Sequence, residues 1–170
     1  MLSLLIAVAL AAPSKPTLLN VPVPALDVSR YLGTWYEIAR FPSFFERGCV
    51  GTTANYSLRE DGEINVLNRC FKGSLNGKVK EAKGKAWVPN QAEPAKLKVQ
   101  FFWPFRGDYW VLELGDEYQY SVVGNPDRDY CWVLSRTPTL SVDVYQGIVE
   151  RLSARGYPVE RFERVAQRPQ

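Results

Sequence analysis

Eight short runs in which apolar and polar residues alternate constrain this chain more than any other feature. They lie near residues 33–41, 52–59, 63–71, 78–88, 95–103, 108–114, 118–124 and 129–136, and are rich in Val, Ile, Tyr, Phe, Trp and Thr. A period of two marks a half-buried β-strand, and β-branched and aromatic side chains favour that state. Turn chemistry separates the runs, at Asp61-Gly62, Gly73 to Gly77, Pro89 to Pro94, Pro104 to Gly107, Gly115-Asp116 and Gly124 to Pro126. Consecutive hairpins predict an antiparallel meander. About eight such strands remove their exposed edges by closing into a barrel, with room inside for one small ligand.

Two helical segments flank the strands. Asp27 is placed to cap a short turn ending near Leu32. From Ser141 to Arg155, Val144, Ile148, Val149 and Leu152 fall at helical spacing, with Ser141 as cap and Gly156 and Pro158 as stops. That stripe is expected against the outer face of the sheet, with residues 162–165 as a short edge strand. The predicted fold is therefore all-β: an eight-stranded antiparallel up-and-down β-barrel with one C-terminal α-helix packed outside.

Strand parity sorts the two ends. The connections 42–51, 72–77, 104–107 and 125–128 share one end. The connections 60–62, 89–94 and 115–117 share the other, where Trp35 and Arg136 are expected to meet. A guanidinium over an indole is a cation–π contact of about 0.5–2 kcal/mol, which would seal that end. The opposite rim gathers Phe44 and Phe45 with Phe101, Phe102, Trp103 and Phe105. It is either local packing or a greasy mouth through which an acyl chain enters.

In the first strand the alternation puts Trp35, Glu37, Ala39 and Phe41 on one face. If Trp35 points inward, so does Glu37, and a buried carboxylate needs a hydrogen-bond partner or a proton. A tyrosine, a water or a ligand head group is expected to answer it. Tyr56, Trp87, Tyr109, Tyr120 and Trp132 are further candidates to line the interior. Lys78, Lys80, Lys83, Lys85, Lys96 and Lys98 crowd the fourth and fifth strands, as a solvated face or a contact for anionic lipid head groups.

Composition removes whole classes of function. The chain has no histidine, which excludes Ser-His-Asp and Cys-His catalysis and histidine metal sites. A net charge of +3 with interspersed signs does not support nucleic-acid binding. No cofactor, metal or catalytic residue is expected. Cys49, Cys70 and Cys131 allow at most one internal disulfide. Cys49 with Cys70 is favoured, since both flank the hairpin of strands two and three. A tight turn at Asp61-Gly62 would set Cys70 opposite about residue 53, however, so the chain before strand two must bend back. Cys131 is then the free thiol, a small buried hydrophobe or a nucleophile.

Residues 1–12, MLSLLIAVALAA, form an uncharged apolar run with a small-x-small pattern at Ala9-Leu10-Ala11, read as a signal peptide. The run is shorter than the roughly 20 residues of a spanning helix. The first charge is Lys15, so a basic segment before the run is missing. Pro13, Pro16, Pro22 and Pro24 read residues 13–25 as a linker, followed by a domain over 26–166 and a tail over 167–170.

Gly33-Thr34-Trp35, Asp116-Glu117-Tyr118 and Arg136 resemble the three signatures of the lipocalin family. The stretches RYLGTWYEIARFP, ANYSLREDGEINVLN and NPDRDYCWVLSRTP resemble its bacterial outer-membrane and apolipoprotein D members. Gly115-Asp116-Glu117 departs from the Thr-Asp-Tyr usual in the second signature. The resemblance implies a lipocalin calyx, with Gly33, Trp35, Asp116 and Arg136 structural, that holds a fatty acid or lysophospholipid for the cell envelope. It also implies the outer membrane's periplasmic face. Leu10-Ala11-Ala12-Pro13 offers no cysteine for acylation, so a periplasmic protein is the other expectation. The competing functions are a thiol-dependent lipid isomerase using Cys131 and an interaction module using the aromatic rim, as monomer or homodimer.

Overall fold

The computed structural model describes residues 18–168. The apolar leader and the first part of the linker lie outside the described residues. A short helix α1 (Val28–Tyr31) precedes β1 (Gly33–Arg40), and seven more strands follow: β2 (Cys49–Leu58), β3 (Ile64–Lys72), β4 (Val79–Trp87), β5 (Lys96–Phe102), β6 (Phe105–Leu114), β7 (Tyr120–Gly124) and β8 (Cys131–Ser135). Helix α2 (Val142–Ala154) and a two-residue strand β9 (Glu163–Arg164) complete the order. Each strand pairs antiparallel with the next, and β1 joins both β8 and β2, so the ring closes. No helix among the described residues is long and apolar enough to cross a membrane.

The caps are those the sequence predicts. Asp27 accepts from the backbone N–H groups of Ser29 and Arg30, and Ser141 accepts from that of Val144. On α2, Ile148 and Leu152 are fully buried. Val144 is exposed, against expectation, and Tyr145 takes the upper place of the stripe instead. The period of 3.6 allows this, because 145, 148 and 152 fall within a narrower arc of the helix surface than 144, 148 and 152.

Two packed layers result. Inside the barrel lie Trp35, Tyr56, Ile64, Val66, Ala86, Leu97, Val111, Val123 and Leu134. Outside, under α2, lie Ile38, Ala39, Phe41, Leu112, Val122, Cys131, Val133 and Tyr157. β-Bulges decide which residues join which layer. Register slips between Glu37 and Ala39 in β1, so that Glu37 faces Leu134 and Ala39 faces Val133. The extra residue is Ile38, and every side chain beyond it changes face.

A second slip, between Val50 and Thr53, lets β2 begin at Cys49 rather than at 52. Gly51 sits there with φ +58°, a left-handed conformation open to glycine. The bulge does the bending that the Cys49–Cys70 pairing requires. The bridge forms with Cα atoms 5.5 Å apart.

Residues 18–25 are strapped to the barrel wall, although four prolines made them read as a linker. Leu18 N–H donates to Ala154 O, Val23 N–H to Val111 O, and the Asn20 side chain to Asn125 O. At the other terminus the chain after α2 fills a gap in the ring. β1 pairs with β2 only from Gly33 to Tyr36. Above that, Val165 N–H donates to Ile38 O, Gly51 N–H to Ala166 O, and Gln167 Nε2 to both Glu37 O and Thr52 O at 2.8 and 2.9 Å.

Candidate functional site

The site is the barrel lumen, shut at one end. Trp35 is fully buried there, and Arg136 lies over it with Cζ 3.7 Å from the ring centroid. The same guanidinium donates to Thr34 O and Arg30 O, which ties α1 and β1 together. Gly33 has φ +93°, and a Cβ there would come within 3.4 Å of Arg136 Nη1. Trp35 Nε1 donates to Tyr31 O. Of the acidic turn, Asp116 is exposed, while Glu117 pairs with Arg30 and the Tyr118 hydroxyl accepts from Asp27 N–H.

Tyr31 reaches from α1 into the barrel and forms its floor. Its hydroxyl lies 2.8 Å from Ser121 Oγ and 2.9 Å from the Tyr109 hydroxyl, which in turn meets the Tyr56 hydroxyl at 2.9 Å. Burial pushes the Tyr31 phenol up to about 12, so these hydroxyls remain neutral at physiological pH. The floor is a chain of four hydroxyls, Ser121–Tyr31–Tyr109–Tyr56, with apolar walls above it.

Exposure along the inward face rises from floor to rim. On β4, Ala86 is buried, Gly84 and Ala82 are half-buried, and Lys80 is exposed. On β5, Leu97 is buried while Val99 and Phe101 are half-buried, and on β8 Leu134 is buried while Trp132 is half-buried. The lumen therefore opens to solvent at the end opposite Trp35. Gly84 makes room for the Phe101 ring, which would lie 2.8 Å from a Cβ at that position.

Between floor and rim sits a buried polar cluster. Glu37 accepts from Arg40 Nη1 at 2.5 Å, with both side chains under a tenth exposed. Arg40 Nη2 also donates to Cys49 O at 2.9 Å. Glu46, from the first connection, accepts from Trp132 Nε1 and Ser43 Oγ. Burial, reinforced by the Glu46 carboxylate, holds Glu37 well above the usual carboxylate range despite Arg40. The inward carboxylate is answered by an arginine three residues away rather than by a tyrosine.

The rim has two aromatic clusters on opposite sides of the ring. A 3-10 turn at Phe44–Glu46 carries Phe44 and Phe45, both exposed. Phe45 packs 5.9 Å from Tyr130, which stacks on Trp132 at 5.7 Å. Across the mouth, the β5–β6 hairpin presents Phe102, Trp103 and Phe105, each at least three-quarters exposed.

Of the residues expected inside, Glu37, Tyr56, Phe101 and Tyr109 face the lumen, while Phe44, Phe45 and Trp103 stand at its rim. Four expectations fail on geometry. Ala39 and Phe41 lie in the outer layer, because the bulge at Ile38 reverses parity, and Phe41 packs 4.7 Å from Phe162. Trp87 pairs with Lys98 on the outer face and carries Lys85 and Arg106 against its ring. Tyr120 joins the layer under α2. The same reversal brings Arg40 inward, and alternation alone could not have found it.

Cys131 is in the outer layer with Ile148, Leu152 and Tyr157, away from the lumen. Burial pushes its thiol up, the opposite of what a nucleophile needs. The lysine patch is also broken up. Lys85, Lys96 and Lys98 pair with Glu63, Glu93 and Asp108.

Comparison with known proteins agrees with this architecture. The model of the lipocalin-like domain matches residues 26–167. The chain is 46% identical over 160 residues to the outer membrane lipoprotein Blc of Escherichia coli K12, covering 94% of this chain and 89% of that protein. It is 40% identical over 154 residues to temperature-induced lipocalin-1 of Arabidopsis thaliana, covering 85% and 81%. With apolipoprotein D of Mus musculus it shares 38% over 160 residues, covering 88% and 79%. Among solved structures, insecticyanin from the tobacco hornworm Manduca sexta superposes with a TM-score of 0.69 at 21% identity, covering 92% and 88%. With its closed eight-strand ring, its Trp35–Arg136 seal and these relatives, the chain belongs to the lipocalin family.

Proposed function

We propose that the barrel carries a single-chain lipid, a fatty acid or a lysophospholipid, without transforming it. The observation that supports this is the graded lumen, sealed below by a bonded chain of hydroxyls, walled by apolar side chains and open above, with Glu37 already paired to Arg40. An acyl chain lies against Val66, Leu97, Val99, Val111 and Val123, gaining about 25 cal/mol for each Å² of apolar surface removed from water. Phe101, Tyr109, Tyr56 and Glu37 complete the walls, and the head group stays near Phe45, Trp103 and Trp132 at the mouth.

The relatives named for the outer membrane and for apolipoprotein D support a lipid ligand and a role in the cell envelope. Under this reading the protein is exported and works at the periplasmic face of the outer membrane or in the periplasm, as a monomer or homodimer. Native mass spectrometry of protein purified from its own host, before and after delipidation, tests the function. A retained and rebound acyl lipid is the expected result. Failure to retain or rebind any acyl chain would overturn the reading.

A further inference from the structure

The two ends of the barrel differ in charge as well as in closure. At the closed end, Asp27, Glu60, Asp61, Glu93, Asp116 and Glu117 outnumber Arg30, Arg59 and Arg136. At the mouth, Arg47 and Lys78 on the connections and Lys72 and Lys80 at the adjoining strand ends gather beside Phe44 and Phe45. Lys72 Nζ donates to Arg47 O, and Lys80 Nζ donates to Phe45 O at 2.7 Å. Their partners are main-chain carbonyls, not carboxylates, and these four cations outnumber Glu46, the one acid on the same connections, whose carboxylate accepts from Trp132 Nε1 and Ser43 Oγ. Asp127 and Asp129 stand on the β7–β8 connection with Arg128 between them, beside Tyr130, whose ring packs against Phe45.

Exposed aromatics occupy the same end. Phe44, Phe102, Trp103 and Phe105 are 80%, 76%, 84% and 76% exposed. They stand on the β1–β2 and β5–β6 connections, which the strand order sets on opposite sides of the ring. Large exposed aromatics beside basic groups suit the head-group layer of a bilayer, where rings enter the interface and cations meet phosphates. Two clusters across the opening give such a contact a plane, with the lumen mouth at its centre.

We propose that the open end docks onto an anionic bilayer surface, with Phe44, Phe102, Trp103 and Phe105 in the interfacial layer and Arg47, Lys72, Lys78 and Lys80 facing lipid phosphates. Docked this way, the acidic closed end points away from the membrane. The contact needs no ligand in the lumen, so vesicle binding and lipid retention fail independently.

Cosedimentation with phosphatidylethanolamine vesicles containing phosphatidylglycerol, compared with phosphatidylcholine vesicles, tests it. The full chain binds the anionic vesicles, releases with added salt, and shows tryptophan quenching by brominated acyl chains that Trp103→Phe largely removes. The double variant Phe44→Ser/Trp103→Ser weakens binding about tenfold or more, and Lys78→Glu weakens it less. Glu117→Lys, at the closed end, leaves it unchanged. Circular dichroism confirms that the variants fold. Equal binding to both vesicle types, or full binding by the double variant, would overturn the proposal. So would sedimentation equilibrium showing that the rim is buried in a dimer while vesicle binding is absent.

Discussion

The closed end and the mouth are built from the same residue types for opposite purposes. At the closed end an aromatic is fully enclosed: Trp35 has its face against Arg136 and its N–H on Tyr31 O. At the mouth, Trp103 is 84% exposed, with most of its indole turned to solvent. Arginine and lysine differ similarly. Arg136 spends its donors on two carbonyls that hold α1 against β1, whereas Lys78 is exposed at the mouth. An aromatic–cation pair is thus no label for a role. Enclosure turns it into stability, and exposure leaves it available to a partner.

Four measurements break or sharpen that contrast. Trp35→Ala has the largest expected effect, a loss of about 3–5 kcal/mol in urea unfolding, because its site is filled and ordered. A loss under about 1 kcal/mol would mean that the seal contributes little. Removing the disulfide by Cys49→Ser/Cys70→Ser comes next. It frees a loop with a sequence separation of 21, worth about 3 kcal/mol. Hydrogen exchange should rise in β2 and β3 near the mouth before it rises at the floor.

Glu37→Gln tests the polar cluster through its pH dependence. The folded pKa of Glu37 is raised, so the folded state keeps a proton that the unfolded chain releases. Its contribution is fully present below the unfolded value, about 4.5, and is lost as pH rises toward the raised folded value. The stability of the variant relative to the wild type should therefore rise as pH goes from 4 to 7. A gap that widens on acidification would reverse the sign and refute the assignment. Phe102→Ser, at the mouth, is expected to change stability by less than about 0.5 kcal/mol. A larger loss would show that the rim is packing after all.

Strands, turns and caps were legible because each depends on local chemistry. The Asp61-Gly62 turn, the Asp27 and Ser141 caps and the α2 stripe need only a few neighbours to be recognised. Facing was legible only while alternation ran unbroken. Trp35 and Glu37 precede the bulge at Ile38, and their placement held. Ala39 and Phe41 follow it, and theirs failed. A bulge is settled by how β1 meets β8 and β9, and those strands lie far along the chain.

Trp87 was legible in principle. It shares its parity with Lys83 and Lys85, while Ala82, Gly84 and Ala86 mark the tight inner phase. Tyr120 carried no such mark. Arg40 became visible as the partner of Glu37 only once the parity reversal was known.

The seam between the upper parts of β1 and β2 has a consequence for biosynthesis. Gln167 joins Glu37 O and Thr52 O across sequence separations of 130 and 115 residues. β1 and β2 lie early in the chain, yet the upper gap between them closes only when residues 163–167, near its other end, dock against both. The wall beside Glu37 is therefore among the last parts of the ring to become watertight. Any chaperone that guards the nascent barrel has its longest task at that seam.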